Sequence, residues 1–256
     1  MMKSRHTFGA SLDIKRKRGE KAFAMLVDPD RYLSMLQYLE HEDFLNAVDY
    51  LLVGGSLLTT HQLGECLEAL RIRSALPVIL FPGSQLQIHQ GADGILLLSL
   101  VSGRNPDFLI GRHVEAAASL KASGLEIIPT AYLLIDGGKS TTASYISNTH
   151  GIPHHKPEIA AATALASEML GLKNIYLDAG SGARIPVSTE MIRAVRKAVD
   201  LPLIIGGGIR SAEKAIRNFE AGADLVVVGD LFEKSPSEGL KFLSSLAQYK
   251  KMRPVN

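Results

Sequence analysis

The sequence predicts an α/β protein built as a single (β/α)8 TIM barrel, and three observations support this prediction. Eight short apolar runs rich in β-branched residues recur along the chain. Most of the segments between them carry apolar residues at spacings of three and four, which is the pattern of amphipathic helices. The length of 256 residues and the hydrophobic content of 46% match one barrel domain. Alternating strands and helices of this kind imply a parallel sheet.

The predicted strands lie near residues 22–27, 49–54, 77–81, 94–99, 126–134, 174–178, 202–206 and 225–229. A weak internal repeat supports closure into a barrel, because three of these strands follow a short turn that ends in aspartate. The three turns are Ala47-Val48-Asp49, Gly91-Ala92-Asp93 and Gly222-Ala223-Asp224. A turn that ends a helix and leads into a buried strand is the unit expected of successive βα repeats.

One connection is shorter than the others. Only Pro82 to Asp93 separates the third strand from the fourth, which is too short for a full barrel helix and its two loops. We therefore expect the third helix to be missing or replaced by an irregular segment. The gap would expose an apolar flank of the barrel, as a groove for a long hydrophobic ligand or as a subunit interface. The sequence leaves both alternatives open.

Composition excludes several classes of protein. The net charge of +2, from 28 basic and 26 acidic residues, gives no reason to expect a nucleic-acid partner. The one cysteine, Cys66, excludes an intrachain disulfide and is expected in the core. No apolar run approaches the roughly 18 residues of a membrane-spanning helix. We expect a cytoplasmic protein.

The domain is expected to cover residues 1–256, with residues 1–21 as an N-terminal extension. This extension is basic and lacks the apolar run of a signal peptide. The basic run from Lys15 to Arg18 is expected to be a solvated face of the protein. Peripheral contact with anionic lipid is the alternative for this run.

Three late strands end in small residues that leave backbone N–H groups uncovered. These ends are Tyr176 to Gly182, Gly206-Gly207-Gly208 and Val228-Gly229-Asp230. Functional residues of barrels lie at the carboxyl ends of strands, and glycines there allow the close backbone approach that a phosphate needs. The sequence therefore predicts one shared phosphate site. Tight turns without a ligand are the alternative, and the cradle does not identify the phosphoester.

Two early strand ends carry oxygen ligands. Asp28-Pro29-Asp30 follows the first strand, and Gly54-Gly55-Ser56 follows the second. A carboxylate with a hydroxyl suits Mg2+, which prefers a few protein oxygens together with phosphate oxygens. Each residue alone could be a turn or cap residue. Their place on neighbouring strand ends favours a metal site beside a second phosphate.

Tyr176 and Asp178 are two residues apart on the sixth strand, so their side chains point the same way. A phenol and a carboxylate could then address one ligand, one positioning a hydroxyl while the other accepts its proton. A core tyrosine beside a capping aspartate is the alternative interpretation.

Together these motifs resemble the geranylgeranylglyceryl phosphate synthase family, which includes heptaprenylglyceryl phosphate synthases. The resemblance runs from about Phe23 to Phe242, and the order and spacing of the motifs are specific to that family. It implies a barrel without a regular third helix. It also implies transfer of a prenyl group from a prenyl diphosphate to the 3-hydroxyl of sn-glycerol 1-phosphate, which forms an ether and releases diphosphate.

The resemblance also implies a role for each motif. Asp28 and Ser56 would hold Mg2+ at the diphosphate, across from Tyr176 and Asp178, which their shared direction on the strand makes the candidate catalytic pair. The residues implied to contact glycerol 1-phosphate are Tyr176, Leu177, Asp178, Ala179, Gly180, Ser181, Gly182, Gly207, Gly208, Gly229 and Asp230. The long isoprenoid would need an apolar trough, which the missing helix could expose.

This chain departs from the family pattern at two site positions. Family members usually have glutamate at position 178, and the shorter Asp178 would place its carboxylate about 1 Å or more away. They usually have asparagine at position 230, so we expect Asp230 to turn away from phosphate or to pair with a base such as Arg210. Leu26 stands where the other branch has lysine, which favours geranylgeranyl diphosphate as the donor.

The sequence supports three hypotheses about function. The leading one is a Mg2+-dependent prenyltransferase of ether-lipid biosynthesis, with heptaprenyl as the alternative chain length. The second is a phosphoester-binding barrel without transferase activity, and the third is a flavin or sugar-phosphate enzyme with the same cradle. An exposed apolar flank and a lipid product make a homo-oligomer plausible, either a dimer or an assembly of dimers.

Overall fold

Eight parallel strands form a closed barrel in the computed structural model, which describes residues 7–252. The strands pair in chain order, and the last closes on the first. They are β1 (Ala22–Val27), β2 (Tyr50–Val53), β3 (Val78–Leu80), β4 (Gly94–Ser99), β5 (Glu126–Leu134), β6 (Asn174–Asp178), β7 (Leu203–Gly206) and β8 (Leu225–Val228). The predicted fold class and all eight predicted strands are confirmed.

Helices connect most of these strands on the outside. They are α1 (Phe8–Lys17), α2 (Tyr32–Leu39), α3 (Glu42–Ala47), α4 (Leu63–Arg73), α5 (Arg112–Ser123), α6 (Thr142–Ile146), α7 (Pro157–Met169), α8 (Thr189–Ala198), α9 (Ala212–Glu220), α10 (Asp230–Lys234) and α11 (Pro236–Lys251). The apolar faces of α8 and α9 lie against the barrel, since Met191, Val195 and Phe219 are buried there. Among residues 7–252, no helix combines the length and the apolar character needed to cross a membrane.

The repeated aspartates have a structural explanation. Each accepts a hydrogen bond from the backbone N–H at the start of the preceding strand, and a basic side chain lies beside each carboxylate. The bonds run from Phe23 to Asp49, from Val78 to Asp93 and from Leu203 to Asp224, at 2.8, 2.8 and 2.9 Å. The repeat therefore satisfies the N–H group at the amino-terminal end of a strand, where the sheet ladder supplies no acceptor.

Apolar side chains fill both the barrel interior and the layer between strands and helices. Cys66 lies in the outer layer, where burial raises the pKa of its thiol to about 12. Part of the predicted N-terminal extension closes the bottom of the barrel: Phe8 and Leu12 of α1 are buried against its interior residues. The Phe8 and Tyr50 rings meet edge to face at 4.7 Å. Residues 1–6 of the extension lie outside the described residues.

The third helix is replaced by an irregular segment, as predicted. Between β3 and β4 the chain forms one 3-10 turn, Gln85–Gln87. Gln87 in this turn is buried, and its side chain holds the ends of two neighbouring loops. The segment thus leaves a gap in the ring of helices, and it also supports the loop that follows β2.

Candidate active site

A cavity of about 670 Å³ opens at the carboxyl ends of the strands. It brings together nearly all of the predicted site residues. The predicted residues that line it are Asp28, Ser56, Tyr176, Asp178, Gly180, Ser181, Gly182, Gly207, Gly208, Gly229 and Asp230. Leu177 and Ala179 do not line it, because they are fully buried in the layer between strands and helices. Alternation along β6 explains the orientation of Leu177.

The wall formed after β6 and β7 has the backbone geometry of an anion site. Gly180, Gly182, Gly207 and Gly208 have φ between 66° and 87°, a region that residues with a side chain rarely adopt. Within the described residues, the N–H groups of Ser181, Gly182, Gly207 and Gly208 donate to no acceptor in the protein. Converging unpaired N–H groups of this kind suit a phosphate.

The two loops of this wall pack with no space between them. A Cβ atom at Gly207 would stand 2.6 Å from the Asp178 carboxylate and 2.6 Å from the Gly180 nitrogen. Glycine is therefore required at position 207 for two reasons: a side chain would collide with the neighbouring loop, and the φ of 82° disfavours any other residue.

The loop after β5 supports this wall from behind and does not line the cavity. The Gly137 carbonyl accepts hydrogen bonds from the N–H groups of Arg184 and Ile185 at 2.9 and 3.0 Å. A Cβ at Gly180 would touch Thr141 at 2.7 Å. The strand-five end thus holds the loop after β6 in place.

Asp178 is buried at the centre of the cavity wall, 7% exposed. One carboxylate oxygen accepts the Gly180 N–H at 2.7 Å, and the other accepts the Tyr132 hydroxyl at 2.7 Å. Burial raises the pKa of Asp178, while the hydrogen bonds from Tyr132 and Gly180 oppose that rise. A carboxylate whose pKa is raised is better matched to proton transfer near neutral pH.

Tyr132 is a site residue that sequence reasoning missed. It lines the cavity, and the β5 and β6 register places it directly opposite Tyr176. The sequence did contain a sign that Tyr132 faces the cavity. It lies two residues before Leu134, the last residue of β5, and that spacing turns both side chains to the same face of the strand. The ring of Tyr176 stacks on Phe81 at 5.2 Å and meets Tyr132 edge to face at 5.6 Å.

Tyr176 differs from Tyr132 in its hydrogen bonding. Burial raises the pKa of both phenols, so both stay protonated at neutral pH. The Tyr176 hydroxyl has no hydrogen-bond partner among residues 7–252, although the residue lines the cavity. It can therefore donate to a ligand without breaking an internal bond.

Asp28 and Ser56 face the cavity from the ends of β1 and β2. One Asp28 oxygen accepts the Asp30 N–H at 3.0 Å, and no described residue donates to the other. Burial raises the pKa of Asp28, and the Asp30 hydrogen bond counters this rise. In the described part of the chain, no group of three or more His, Cys, Asp or Glu residues could hold a metal alone. One carboxylate and one hydroxyl fit a hard cation that takes its other ligands from a bound phosphate.

Asp230 pairs with a basic side chain, which is one of the two outcomes that we expected, but the base is Lys234 and not Arg210. Its carboxylate bonds the Lys234 ammonium at 2.6 Å, one turn later in α10. Arg210 donates instead to the Ala183 carbonyl at 3.0 Å and so holds the phosphate loop. The short spacing from position 230 to 234 within a helix explains the preference for Lys234.

A further part of the cavity wall, beside the gap left by the third helix, is mainly apolar. It is lined there by Ile88, Leu96, Leu98, Leu100, Phe108 and Leu120. Of the two alternatives for the exposed flank, the cavity supports the groove. One cavity thus joins a cradle of N–H groups, a pair of oxygen ligands and an apolar groove.

Comparisons with known proteins agree with this arrangement. The model of the PcrB family matches residues 13–246. A geranylgeranylglyceryl phosphate synthase from Spirosoma linguale is 57% identical over 223 residues, covering 85% of this chain and 88% of the relative. One of the same name from Thermococcus gammatolerans is 44% identical over 229 residues, covering 87% and 88%.

A solved structure is also similar. It is the crystal structure of (S)-3-O-geranylgeranylglyceryl phosphate synthase from Thermoplasma acidophilum in complex with its substrate sn-glycerol-1-phosphate. The TM-score is 0.88 at 31% identity, over 97% of this chain and 100% of that chain.

Proposed function

The chain belongs to the PcrB family, and from this premise we propose that it transfers a prenyl group from a prenyl diphosphate to the 3-hydroxyl of sn-glycerol 1-phosphate. The observation that carries the proposal is the single cavity in which a phosphate cradle, an oxygen-ligand pair and an apolar groove meet. The cradle suits the phosphate of the acceptor, the oxygen-ligand pair suits the diphosphate of the donor with its cation, and the groove suits the prenyl tail. The relative solved with glycerol 1-phosphate bound supports this acceptor.

The acceptor phosphate would bind at the wall after β6, β7 and β8. Unpaired N–H groups of Ser181, Gly182, Gly207 and Gly208 would receive its oxygens, and Gly229 and Asp230 would complete the cradle through their backbone. Because Asp230 is neutralised by Lys234, its charge opposes the phosphate less than a free carboxylate would. Leu177 and Ala179 would act only by shaping this wall from behind.

The donor diphosphate would bind on the opposite side, where Asp28 and Ser56 would hold Mg2+. Bound there, Mg2+ would supply positive charge to the leaving diphosphate. The prenyl tail would lie in the apolar groove beside β4 and α5. We take geranylgeranyl diphosphate as the donor, with heptaprenyl diphosphate as the alternative length.

Asp178 would act as the general base and Tyr176 would position the acceptor. The 3-hydroxyl oxygen forms a bond to the first prenyl carbon while the bond from that carbon to the diphosphate oxygen breaks. The hydroxyl proton passes to Asp178, whose raised pKa favours holding it. Tyr176 would donate its free hydroxyl to the acceptor, and Tyr132 would keep the carboxylate oriented.

The wider setting of the enzyme is part of the same proposal. Exposed apolar residues on and just after α7, Leu165, Met169 and Leu170, would form a contact between copies of the chain in a dimer or an assembly of dimers. The enzyme would work in the cytoplasm, where its lipid substrate brings it into peripheral contact with membranes.

A product assay tests the proposal. Purified protein is incubated with labelled sn-glycerol 1-phosphate, geranylgeranyl diphosphate and Mg2+, and the label is followed into organic solvent. We expect Mg2+-dependent transfer of label, which EDTA abolishes. A protein that binds glycerol 1-phosphate but yields no lipid with donors of any length would be a phosphoester-binding barrel instead.

A further inference from the structure

The loop that carries Ser56 is irregular from residue 54 to residue 62. Strand β2 ends at Val53, and its last hydrogen bond to β1 runs from the Gly54 N–H to the Val27 carbonyl at 3.1 Å, so the sheet does not determine where Ser56 lies relative to Asp28. Ser56 itself donates no hydrogen bond to a described residue. Its position must therefore come from other contacts of the loop.

The first set of contacts comes from Asp30. One of its carboxylate oxygens accepts the N–H and the hydroxyl of Thr59, both at 2.7 Å. The other accepts the N–H and the hydroxyl of Thr60, at 3.2 and 2.6 Å. These four hydrogen bonds hold the carboxylate of Asp30 against residues 59 and 60 of the loop.

The second set comes from Gln87, in the segment that replaces the third helix. Its side-chain amide donates to the Gly55 carbonyl at 3.0 Å and accepts the Gly83 N–H at 3.2 Å. A Cβ at Gly83 would stand 2.6 Å from the Ser56 carbonyl, so these backbones are already in contact. This loop, residues 54–62, which we call the serine loop, is thus held by hydrogen bonds on both sides of Ser56.

Asp30 also orients Asp28. Its N–H donates to one Asp28 oxygen at 3.0 Å, which leaves the other Asp28 oxygen available. Because both Asp30 oxygens already accept two hydrogen bonds each, Asp30 has no comparable free position for a cation. The two acids of Asp28-Pro29-Asp30 therefore differ in what they can bind.

We propose that Asp30 is a positioning residue that fixes the separation of Asp28 and Ser56, by orienting the first through its N–H and holding the loop of the second through its carboxylate. The inference rests on the proposed function, since it assigns the Asp28 and Ser56 pair to a divalent cation and a diphosphate. It predicts that Thr59 and Thr60, which line the cavity and bond the carboxylate of Asp30, control the affinity for Mg2+ and diphosphate and leave the affinity for glycerol 1-phosphate unchanged.

The test compares Asp30→Asn and Thr60→Val with Thr60→Ser, which keeps the hydroxyl, and with Glu238→Gln, which removes an exposed ion pair far from the cavity. Calorimetric titration of Mg2+ with inorganic diphosphate gives a readout apart from turnover. Loss of an outer partner of a metal ligand typically weakens metal affinity about 10-fold or more, so we expect that loss for Asp30→Asn and a smaller one for Thr60→Val. Thr60→Ser and Glu238→Gln should match the wild type.

Steady-state kinetics give the second readout. In Asp30→Asn and Thr60→Val, KM for the prenyl diphosphate should rise while KM for glycerol 1-phosphate stays within about twofold, because the acceptor cradle lies across the barrel. Equal increases in both KM values, or unchanged Mg2+ affinity in variants that fold, would overturn the inference. If Asp30→Asn does not fold, the comparison of Thr60→Val with Thr60→Ser tests the inference by the same two readouts.

The outcome separates this inference from the proposed function. Wild-type protein that forms the ether lipid while Asp30→Asn keeps full Mg2+ affinity refutes the positioning role only. Wild-type protein that binds Mg2+ and diphosphate with an affinity that falls in Asp30→Asn, but forms no lipid, refutes the transferase. A wild type that binds no Mg2+ with diphosphate refutes the positioning role directly.

Discussion

Asp178 shows how burial and hydrogen bonding set the chemistry of one residue. The sequence motif identified this position, and alternation along the strand predicted that Tyr176 points the same way. The partner of the carboxylate, Tyr132, lies 46 residues away in the chain. Its spacing from Leu134 turns Tyr132 toward the barrel interior, but the residue that it meets there depends on the register of β5 against β6, which the sequence alone does not determine.

Asp178→Asn should stabilise the fold at neutral and basic pH. Burial raises the pKa of Asp178 in the folded chain above its ordinary value of 3.8, so the folded state binds that proton more tightly than the unfolded chain does. Its contribution to stability is full below pH 3.8 and is lost as the pH rises through the folded pKa. We expect the variant to gain about 1 kcal/mol in free energy of unfolding at pH 8.

Urea unfolding at several pH values checks this. The gain should vanish below pH 3.8, where the wild-type carboxyl is protonated in both states. A variant less stable than the wild type at pH 8 would show that the hydrogen bonds of the carboxylate outweigh its desolvation.

Tyr132→Phe should move the pH profile of the reaction. The Tyr132 hydroxyl favours the ionised form of Asp178, so its loss raises the pKa of Asp178 further. We expect the acidic limb of the plot of log kcat/KM against pH to shift up by about one unit. The exposed Tyr145 offers a matched control, since Tyr145→Phe should leave the profile unchanged. A uniform loss of rate with an unmoved limb would count against Asp178 as the base.

The loops at the strand ends were predicted more completely than their partners. Runs of glycine after apolar strands indicated the phosphate wall, and the length of the connection between β3 and β4 indicated the missing helix. Both are properties of a continuous stretch of chain. The contacts of a loop, in contrast, involve residues that are distant in the chain. Only the structure therefore showed that Gly137 supports the loop after β6 and that Gln87 supports the serine loop.

Gly207→Ala should abolish binding of glycerol 1-phosphate and destabilise the protein. The new Cβ would press on Asp178, Gly180 and Ala179 at 2.6 to 2.7 Å. Gly171 is a matched control, because its φ of 87° is similar and a Cβ there meets nothing within 4 Å. We expect Gly171→Ala to cost only about 1 kcal/mol through its φ, with KM unchanged.

Thermal unfolding and calorimetric titration with glycerol 1-phosphate distinguish the two variants. If Gly207→Ala binds the acceptor as tightly as Gly171→Ala, the wall after β7 is not the phosphate site.

The two ends of the barrel are built differently. The carboxyl ends of the strands hold the cavity, while α1, which belongs to the predicted extension, closes the amino ends. The sequence predicted the barrel because its strand and helix periods repeat along the chain. It did not predict the role of α1, because a single amphipathic helix before the first strand has no repeat to reveal its place.

Leu12→Ala should destabilise the protein without changing either KM. Leu12 is fully buried at the bottom of the barrel, and removing a buried leucine side chain there should cost about 3 kcal/mol. Leu33→Ala serves as the control, because Leu33 on α2 is 66% exposed and its loss should change stability by less than about 0.5 kcal/mol. Urea unfolding and steady-state kinetics measure both effects. A raised KM in Leu12→Ala would mean that the two ends of the barrel are coupled.

The most direct test follows the oxygen atom of the acceptor. sn-Glycerol 1-phosphate labelled with oxygen-18 in its 3-hydroxyl is incubated with geranylgeranyl diphosphate, Mg2+ and the protein, and both products are analysed by mass spectrometry. We expect an ether lipid phosphate that retains the label and a diphosphate that carries none. Absence of the ether product, or an ether without the label, would contradict attack by the glycerol hydroxyl on the prenyl carbon.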